Sequence, residues 1–198
     1  MIKSYDRSYF DHFYRHPRQR VSTRDGLERK VRMAVSITEY QLGRRIRSVL
    51  DVGCGEAPWF PVLRRMRRDV RYIGVDSSDY VIERFGKARN IRRGSLGELG
   101  SLRLPRDIDL IVCADVLQYV DTHDIERGLR TIRALLGGVA YIEAFTTEDG
   151  MEGDQVDWHE RSAAEYRRLF RRAGFTQCGP YTFVNLNYLQ GLTMFEHC

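Results

Sequence analysis

The run Val49-Leu50-Asp51-Val52-Gly53-Cys54-Gly55-Glu56-Ala57 constrains this chain more than any other stretch. A short β-prone run ends in two glycines one residue apart, and Pro58 suits the first turn of a helix that follows. A strand turning through Gly-x-Gly into a helix leaves bare backbone at the strand's C-terminal end, where a ligand can approach without meeting a Cβ. The Gly-x-Gly-x-x-Gly dinucleotide fingerprint is incomplete, because Pro58 stands at its third glycine. Asp51, just ahead of the glycines, would repel a pyrophosphate; it suits a ligand carrying positive charge, such as an ammonium or sulfonium. Gly53 is expected to face that ligand, so that a side chain there would clash with it rather than with the core.

The rest of the chain repeats the strand-then-helix pattern. Arg71–Val75 reads as a second strand ending at Asp76, with Ser77 or Ser78 able to cap the next helix. Asn90–Arg93 is a weak third strand before Gly94-Ser95, and Ile108–Cys113 a strong fourth. Thr122–Leu136 reads as a helix closed by Gly137-Gly138, followed by a fifth strand over Val139–Ala144. Ser162-x-x-Glu165 is a capping box for a helix that Gly174 ends. Two last β-prone runs, Phe175–Cys178 and Leu192–Phe195, have no room for a crossover helix and should pair antiparallel. Upstream, Asp25 with Glu28 suggests a capped helix whose inner stripe includes Leu27, Val31, Ala34, Val35 and Leu42, with Gly43 ending it. Strands alternating with helices predict an α/β fold, a mostly parallel sheet covered on both faces. The expected division is an N-terminal helical cap over 1–44 and a ligand-binding domain over 45–198.

Asp76 supplies the second chemical signal. A carboxylate at the end of the second strand can accept both hydroxyls of a ribose. Alone, Asp51 could simply pin its loop and Asp76 could simply cap a helix. Spaced across one strand–helix–strand unit, the two acids favour a nucleoside site.

Charge and cysteine content narrow the class. The 32 basic side chains are 29 Arg and 3 Lys against 27 acids, a formal net charge of +5. The arginines recur along the whole chain in small groups, such as Arg64/Arg65/Arg67/Arg68 and Arg167/Arg168/Arg171/Arg172, which reads as solvated helix faces and helix C-termini rather than one nucleic-acid track. Cys54, Cys113, Cys178 and Cys198 form no Cys-x-x-Cys pair, so no metal site is expected, and Cys54 and Cys113 read as small buried residues in a reduced compartment. No apolar stretch is long enough to span a bilayer, and Met1–Arg20 lacks the apolar core of a secretory signal; the expectation is a cytoplasmic protein without membrane partners.

Taken in order, these motifs resemble those of the class I S-adenosylmethionine-dependent methyltransferases, over roughly residues 45 to 198. Val49–Gly55 matches the first motif, with Ala57 where many members carry a further glycine. Gly74-Val75-Asp76 resembles the ribose-binding second motif, and Gly94-Ser95-Leu96 occupies the adenine-contacting third, where members often have Asp in place of Ser95. Asp109–Val120 looks like the fourth motif of small-molecule members, which often have His where Tyr119 sits. The Asn-Pro-Pro-Tyr motif of amino-group methylases of bases and glutamine is absent. The resemblance implies a Rossmann-like, doubly wound seven-stranded sheet of order 3-2-1-4-5-7-6 with an antiparallel last strand. It implies S-adenosylmethionine as cofactor, held by Asp51, Gly53, Cys54, Gly55, Asp76, Ser77, Ser95, Leu96, Ala114 and Asp115.

Such an enzyme needs an aligned nucleophile and, where required, a group to remove its proton. His159 lies just before the Ser162 capping box, in the loop that the resemblance places at the substrate mouth, where it could equally make a helix-entry hydrogen bond. Asp115 and Tyr119 follow the fourth strand, Glu143 lies on the fifth, and His12 and His123 are further bases by residue type. The aromatics Tyr5, Tyr9 and Tyr14 could close over the site or form a packing helix, and Asn185–Tyr188 is another possible lid. The expected reaction is methyl transfer to an O or N nucleophile of a small molecule, with nucleic acid not expected as substrate. The rival readings are an RNA or other nucleic-acid methyltransferase and a non-catalytic cofactor-binding or partner-binding protein on the same fold.

Overall fold

The computed structural model describes residues 5–15, 23–150, 154–185, 192–194 and 196. Seven strands form one sheet: β1 (Ser48–Val52), β2 (Arg71–Asp76), β3 (Ile91–Arg93), β4 (Ile108–Ala114), β5 (Leu136–Glu143), β6 (Phe175–Gly179) and β7 (Thr182–Asn185). Their order is β3-β2-β1-β4-β5-β7-β6, as the resemblance implied. The first five strands are parallel, and β7 runs antiparallel to both β5 and β6. The helices are α1 (Arg7–Phe10), which runs on into a wider turn over Asp11–Arg15, α2 (Arg24–Leu42), α3 (Trp59–Met66), α4 (Asp79–Arg89), α5 (Thr122–Leu135) and α6 (Ala163–Arg172).

Side-chain alternation along β1 and β4 sorts the core into two layers. Leu50, Val52, Ile111 and Cys113 face Ile125, Leu129 and Ile132 of α5 and Tyr166, Leu169 and Phe170 of α6. Val49, Leu110 and Val112 face Val31, Ala34 and Val35 of α2 and Trp59, Val62 and Leu63 of α3. Strands buried on both faces account for the near-continuous apolar run of β4. Its one charged interior residue, Asp109, ties the far ends of β1 and β4 to the end of α2. It takes a two-pronged bond from the Arg44 guanidinium, at 2.7 and 3.1 Å, and accepts the N–H groups of Arg47 and Ser48. Burial opposes its ionisation, but Arg44 and these backbone donors hold Asp109 below the usual carboxylate range.

Four local expectations are corrected. The cap of α2 is Thr23, whose hydroxyl accepts the Gly26 N–H at 3.0 Å; Asp25 and Glu28 lie within the helix, and Glu28 pairs with Arg32. Gly137-Gly138 does not close α5, which passes directly into β5 with both glycines inside the strand. A Cβ on Gly138 would lie 2.3 Å from the Asp109 carbonyl oxygen and one on Gly137 2.7 Å from the Asp107 carbonyl carbon, so the pair lets β5 press against β4 beside an irregularity in its register. The strand completing the hairpin is Thr182–Asn185 rather than Leu192–Phe195; Leu192–Met194 are not in a strand, and residue 195 lies outside the described residues. Asn185 belongs to β7, and the remainder of the suggested 185–188 lid lies outside the described residues. Among the described residues, no helix is long and apolar enough to cross a membrane.

Candidate active site

The C-terminal ends of β1, β2 and β4 meet where the strand order reverses, which is where open α/β sheets bind ligands. Here the glycine loop is anchored to β2, since the Gly53 and Cys54 N–H groups both donate to the Val75 carbonyl, at 2.8 and 3.1 Å. Gly53 sits at φ +67°, which favours glycine, and a Cβ there would lie 2.3 Å from Cγ2 of Val116. A side chain at Gly53 therefore meets the protein itself, which corrects the expectation that it would meet only ligand.

Asp76 stands beside this loop with both carboxylate oxygens on backbone donors. Oδ2 accepts the Gly55 N–H at 2.7 Å and Oδ1 the Ser78 N–H at 2.9 Å. Burial raises its pKa, and these backbone bonds offset part of the rise. The acid is thus oriented with lone pairs to spare, as an acceptor of two neighbouring hydroxyls must be.

Around Asp76 opens a cavity of about 350 Å³, within the range of small-molecule sites. Of the residues singled out in the sequence, it brings together Gly53, Gly55, Asp76, Ser77, Ser95, Leu96, Asp115, Tyr119 and His159. Cys54, Asp51 and Ala114 do not line it. Cys54 is buried against Gly74, and burial pushes its thiol pKa up. Ala114 packs into the layer beneath α2 and α3. Asp51 is buried in that same direction and accepts the Tyr72 hydroxyl at 2.7 Å; burial pushes its pKa up to about 7 against the opposing effect of that bond. Glu143, His12 and His123 are also absent from the lining.

The loop after β4 carries the rest of the chemistry. Asp115 is held at φ +61°, a conformation that Asp and Asn tolerate better than most residues. Its Oδ1 is buried with no hydrogen-bond partner. Burial first, and the nearby Glu143 charge second, push its pKa up to about 6, against Lys30 and a side-chain bond from Gln118. Glu143 is itself engaged, accepting Lys30 Nζ at 2.6 Å and the Tyr141 hydroxyl at 3.0 Å. Tyr119 donates its hydroxyl to the Asp154 carbonyl at 2.8 Å; burial and the Asp154 charge push its pKa up to about 12. His159 lies exposed at the rim, and its N–H donates to the Gln118 carbonyl at 2.8 Å.

Further residues complete the site, some of them inside the motifs and the aromatic segment already quoted and some, such as Gly97, Asp121 and Asp124, without a sequence signal. Arg161 is buried and clamps the 117–122 segment, donating to the carbonyls of Leu117 and Val120 at 3.1 and 2.7 Å. Gly94, Gly97, Val116, Val120, Asp121 and Asp124 complete the lining. The segment ahead of α2 forms the cover: Tyr5, Tyr9 and Phe10 line the cavity, and the Phe10 ring is buried against Gly55. The Ser78 hydroxyl donates to the Tyr5 carbonyl and accepts the Val81 N–H at 3.2 Å. The Tyr14 side chain lies outside the described residues. Among the described residues, one group of potential metal ligands gathers at the start of α5: Asp121, His123 and Asp124. Asp121 accepts the Asp124 N–H as the helix cap, and Asp124 pairs with Arg127 at 2.7 Å.

Known proteins share this fold. The family described as a methyltransferase domain matches residues 5–178. No curated protein matches the chain by sequence. Among solved structures, DesVI of Streptomyces venezuelae superposes with a TM-score of 0.63 at 14% identity, covering 82% of this chain and 91% of its own. The plantazolicin methyltransferase BamL, solved with a triazolic desmethylPZN analogue and SAH, gives 0.64 at 16% identity, covering 93% and 78%. An S-adenosylmethionine-dependent methyltransferase from Archaeoglobus fulgidus gives 0.58 at 17%, covering 78% and 70%. At these identities the likeness is one of fold.

Proposed function

The chain belongs to the class I S-adenosylmethionine-dependent methyltransferases, matching the methyltransferase domain over residues 5–178, and from that premise we propose that it methylates an O or N nucleophile of a small molecule. The observation that carries this reading is the covered cavity of about 350 Å³ at the strand ends, with the glycine loop and Asp76 on one side and Asp115, Tyr119 and His159 on the other.

The residues fit the cofactor. Asp76, fixed by two backbone donors, would accept the ribose hydroxyls, and Ser77, Ser95 and Leu96 would flank the nucleoside. The bare backbone of Gly53 and Gly55 admits close approach. Asp51 stands behind the glycine loop, where it accepts the Tyr72 hydroxyl and ties β1 to β2. When bound, S-adenosylmethionine supplies a methyl group activated by its sulfonium, the C–S bond breaking as the acceptor's lone pair forms the new bond. The protein's own work is to orient, to exclude water and to take a proton. Tyr5, Tyr9 and Phe10 cover the site, Tyr119 and His159 position the acceptor, and Asp115 receives the proton.

Calorimetry with S-adenosylhomocysteine tests the cofactor site. Asp76→Ala should weaken binding by about 2–4 kcal/mol, the loss of two hydrogen bonds to a charged acceptor. Wild-type affinity in a folded variant would remove Asp76 from the site. Labelled-methyl transfer to fractionated metabolites, run beside RNA and DNA, tests the acceptor class; incorporation confined to the polymers would reject the small-molecule reading.

A further inference from the structure

Asp76 stands between two loops of different use. The sheet order β3-β2-β1-β4 puts the glycine loop after β1 and Asp115 after β4 on one side of it, and the loop after β3, residues 94–97, on the other. A ribose on Asp76 whose methyl-bearing arm points toward Asp115 therefore extends its base over residues 94–97, all four of which line the cavity. Those residues include no acid. Glu98, next in the chain, is turned back onto Ser95, whose hydroxyl and N–H both donate to its Oε2, at 2.9 and 3.0 Å. An acid arrives instead from the first turn of α5. A Cβ on Gly97 would lie 2.5 Å from Cγ of Asp124, and one on Gly128 2.4 Å from Cγ of Leu96, so two glycines let the loop and the helix press together. The Asp124 carboxylate thus rests on the bare backbone of Gly97, and Asp124 lines the cavity there. Its two oxygens differ. Oδ1 accepts Arg127 Nη2 at 2.7 Å and lies 3.6 Å from His123 Nδ1. Oδ2 accepts no hydrogen bond among the described residues, and the side chain is 31% exposed.

We propose that Asp124 reads the base of the cofactor: its Oδ2 accepts a hydrogen bond from the exocyclic amino group of adenine and so selects an aminopurine over an oxopurine. This inference rests on the S-adenosylmethionine reading above and names the residue that makes the site specific for that base. An ionised carboxylate only accepts, so it rewards an amino group and repels a carbonyl oxygen at the same position. A site built to take a hydrogen bond rejects an analogue without the donor far more strongly than an apolar pocket does. Arg127 holds the carboxylate by Oδ1 and leaves Oδ2 for the ligand. Gly97 belongs to the same device, because any side chain there would displace the carboxylate from the loop.

The experiment titrates the full chain by calorimetry with S-adenosylhomocysteine and with S-inosylhomocysteine, which carries an oxo group in place of the amino group. Failure of the wild-type chain to bind S-adenosylhomocysteine would overturn the cofactor reading itself. The expected wild-type preference for the adenosyl compound is about thirtyfold or more. Asp124→Asn keeps the shape and offers an amide donor to the oxo group, so it should cut that preference about tenfold or more. Gly97→Ala, which pushes the same carboxylate aside, should cut it in the same direction. A thermal melt without ligand establishes that each variant is folded. With S-adenosylhomocysteine bound by the wild type, an undiminished preference in folded Asp124→Asn would overturn the Asp124 assignment alone; where that variant does not fold, an undiminished preference in Gly97→Ala does so. Loss of the preference in Ser95→Ala or Asp121→Asn, with Asp124→Asn retaining it, would equally overturn the assignment and move it to the residue concerned.

Discussion

Asp51 lies just ahead of the glycine loop, buried behind the cavity rather than on its lining. Its carboxyl, buried and bonded by Tyr72, has a pKa pushed from the ordinary 3.8 to about 7. Between those values the folded chain holds a proton that the unfolded chain has lost, so folding stability attributable to Asp51 is present at low pH and declines as pH rises from about 4 to about 7. Asp51→Asn removes that dependence. The difference in unfolding free energy between variant and wild type, measured by denaturant titration at several pH values, should change by up to roughly 4 kcal/mol across this window. An unchanged difference would mean that Asp51 is ionised in the folded chain near pH 5. The residue types of the site were legible because the glycine spacing and the two acids sit at strand ends. The partner of Asp51 was not, because Tyr72 lies on the neighbouring strand, two residues before the Gly74 that registers with Asp51, and only the sheet register brings it there.

Among the elements, strands whose apolar runs end in a turn residue were legible, and those shaped by close approach were not. A Gly-Gly pair after an amphipathic helix usually stops it. Here it sits in β5 because the neighbouring backbone leaves no room for a Cβ. Gly138→Ala should therefore destabilise the chain by about 1–3 kcal/mol, read as a lower thermal midpoint, with no loss of helix in the circular dichroism spectrum. A variant as stable as wild type would show that β5 can yield. The last strand was misplaced for a related reason: Leu192–Phe195 is more apolar on its face, but the turn through Gly179, Pro180 and Tyr181, with Tyr181 at φ +56°, returns the chain to pair beside β6 at once. The cover over the cavity is a short element, the four residues of α1 and the wider turn that follows it. Hydrogen exchange over residues 5–15 should slow at least several-fold on saturation with S-adenosylhomocysteine, and exchange unchanged by ligand would make it a fixed packing helix.

Across the whole molecule, the abundance of arginine resolves into local clamps. Arg44 holds Asp109, Arg65 pairs with Glu28, Arg67 pairs with Glu39, and Arg161 gathers carbonyls behind the site. Arg64 and Arg65 sit in the last turn of α3 and Arg171 and Arg172 in that of α6, where they complement the helix dipoles. These helices follow or flank strands whose opposite ends form the cavity, and among the described residues no Lys or Arg lines it. Binding of single- and double-stranded RNA and DNA should accordingly be weak and show a shallow salt dependence; submicromolar affinity that falls steeply with salt, together with methyl incorporation, would reverse this assignment. The α/β architecture was legible from alternating patterns and its strand order from the family likeness, whereas the meeting of the N-terminal segment with Asp76 depends on contacts between residues far apart in the chain. At that meeting point stands Ser78, which donates its N–H to Asp76, caps α4 and fastens the Tyr5 carbonyl. One serine therefore joins the acid at the strand end, the start of a helix and the segment that covers the cavity, so a displacement of any one of the three is felt by the other two.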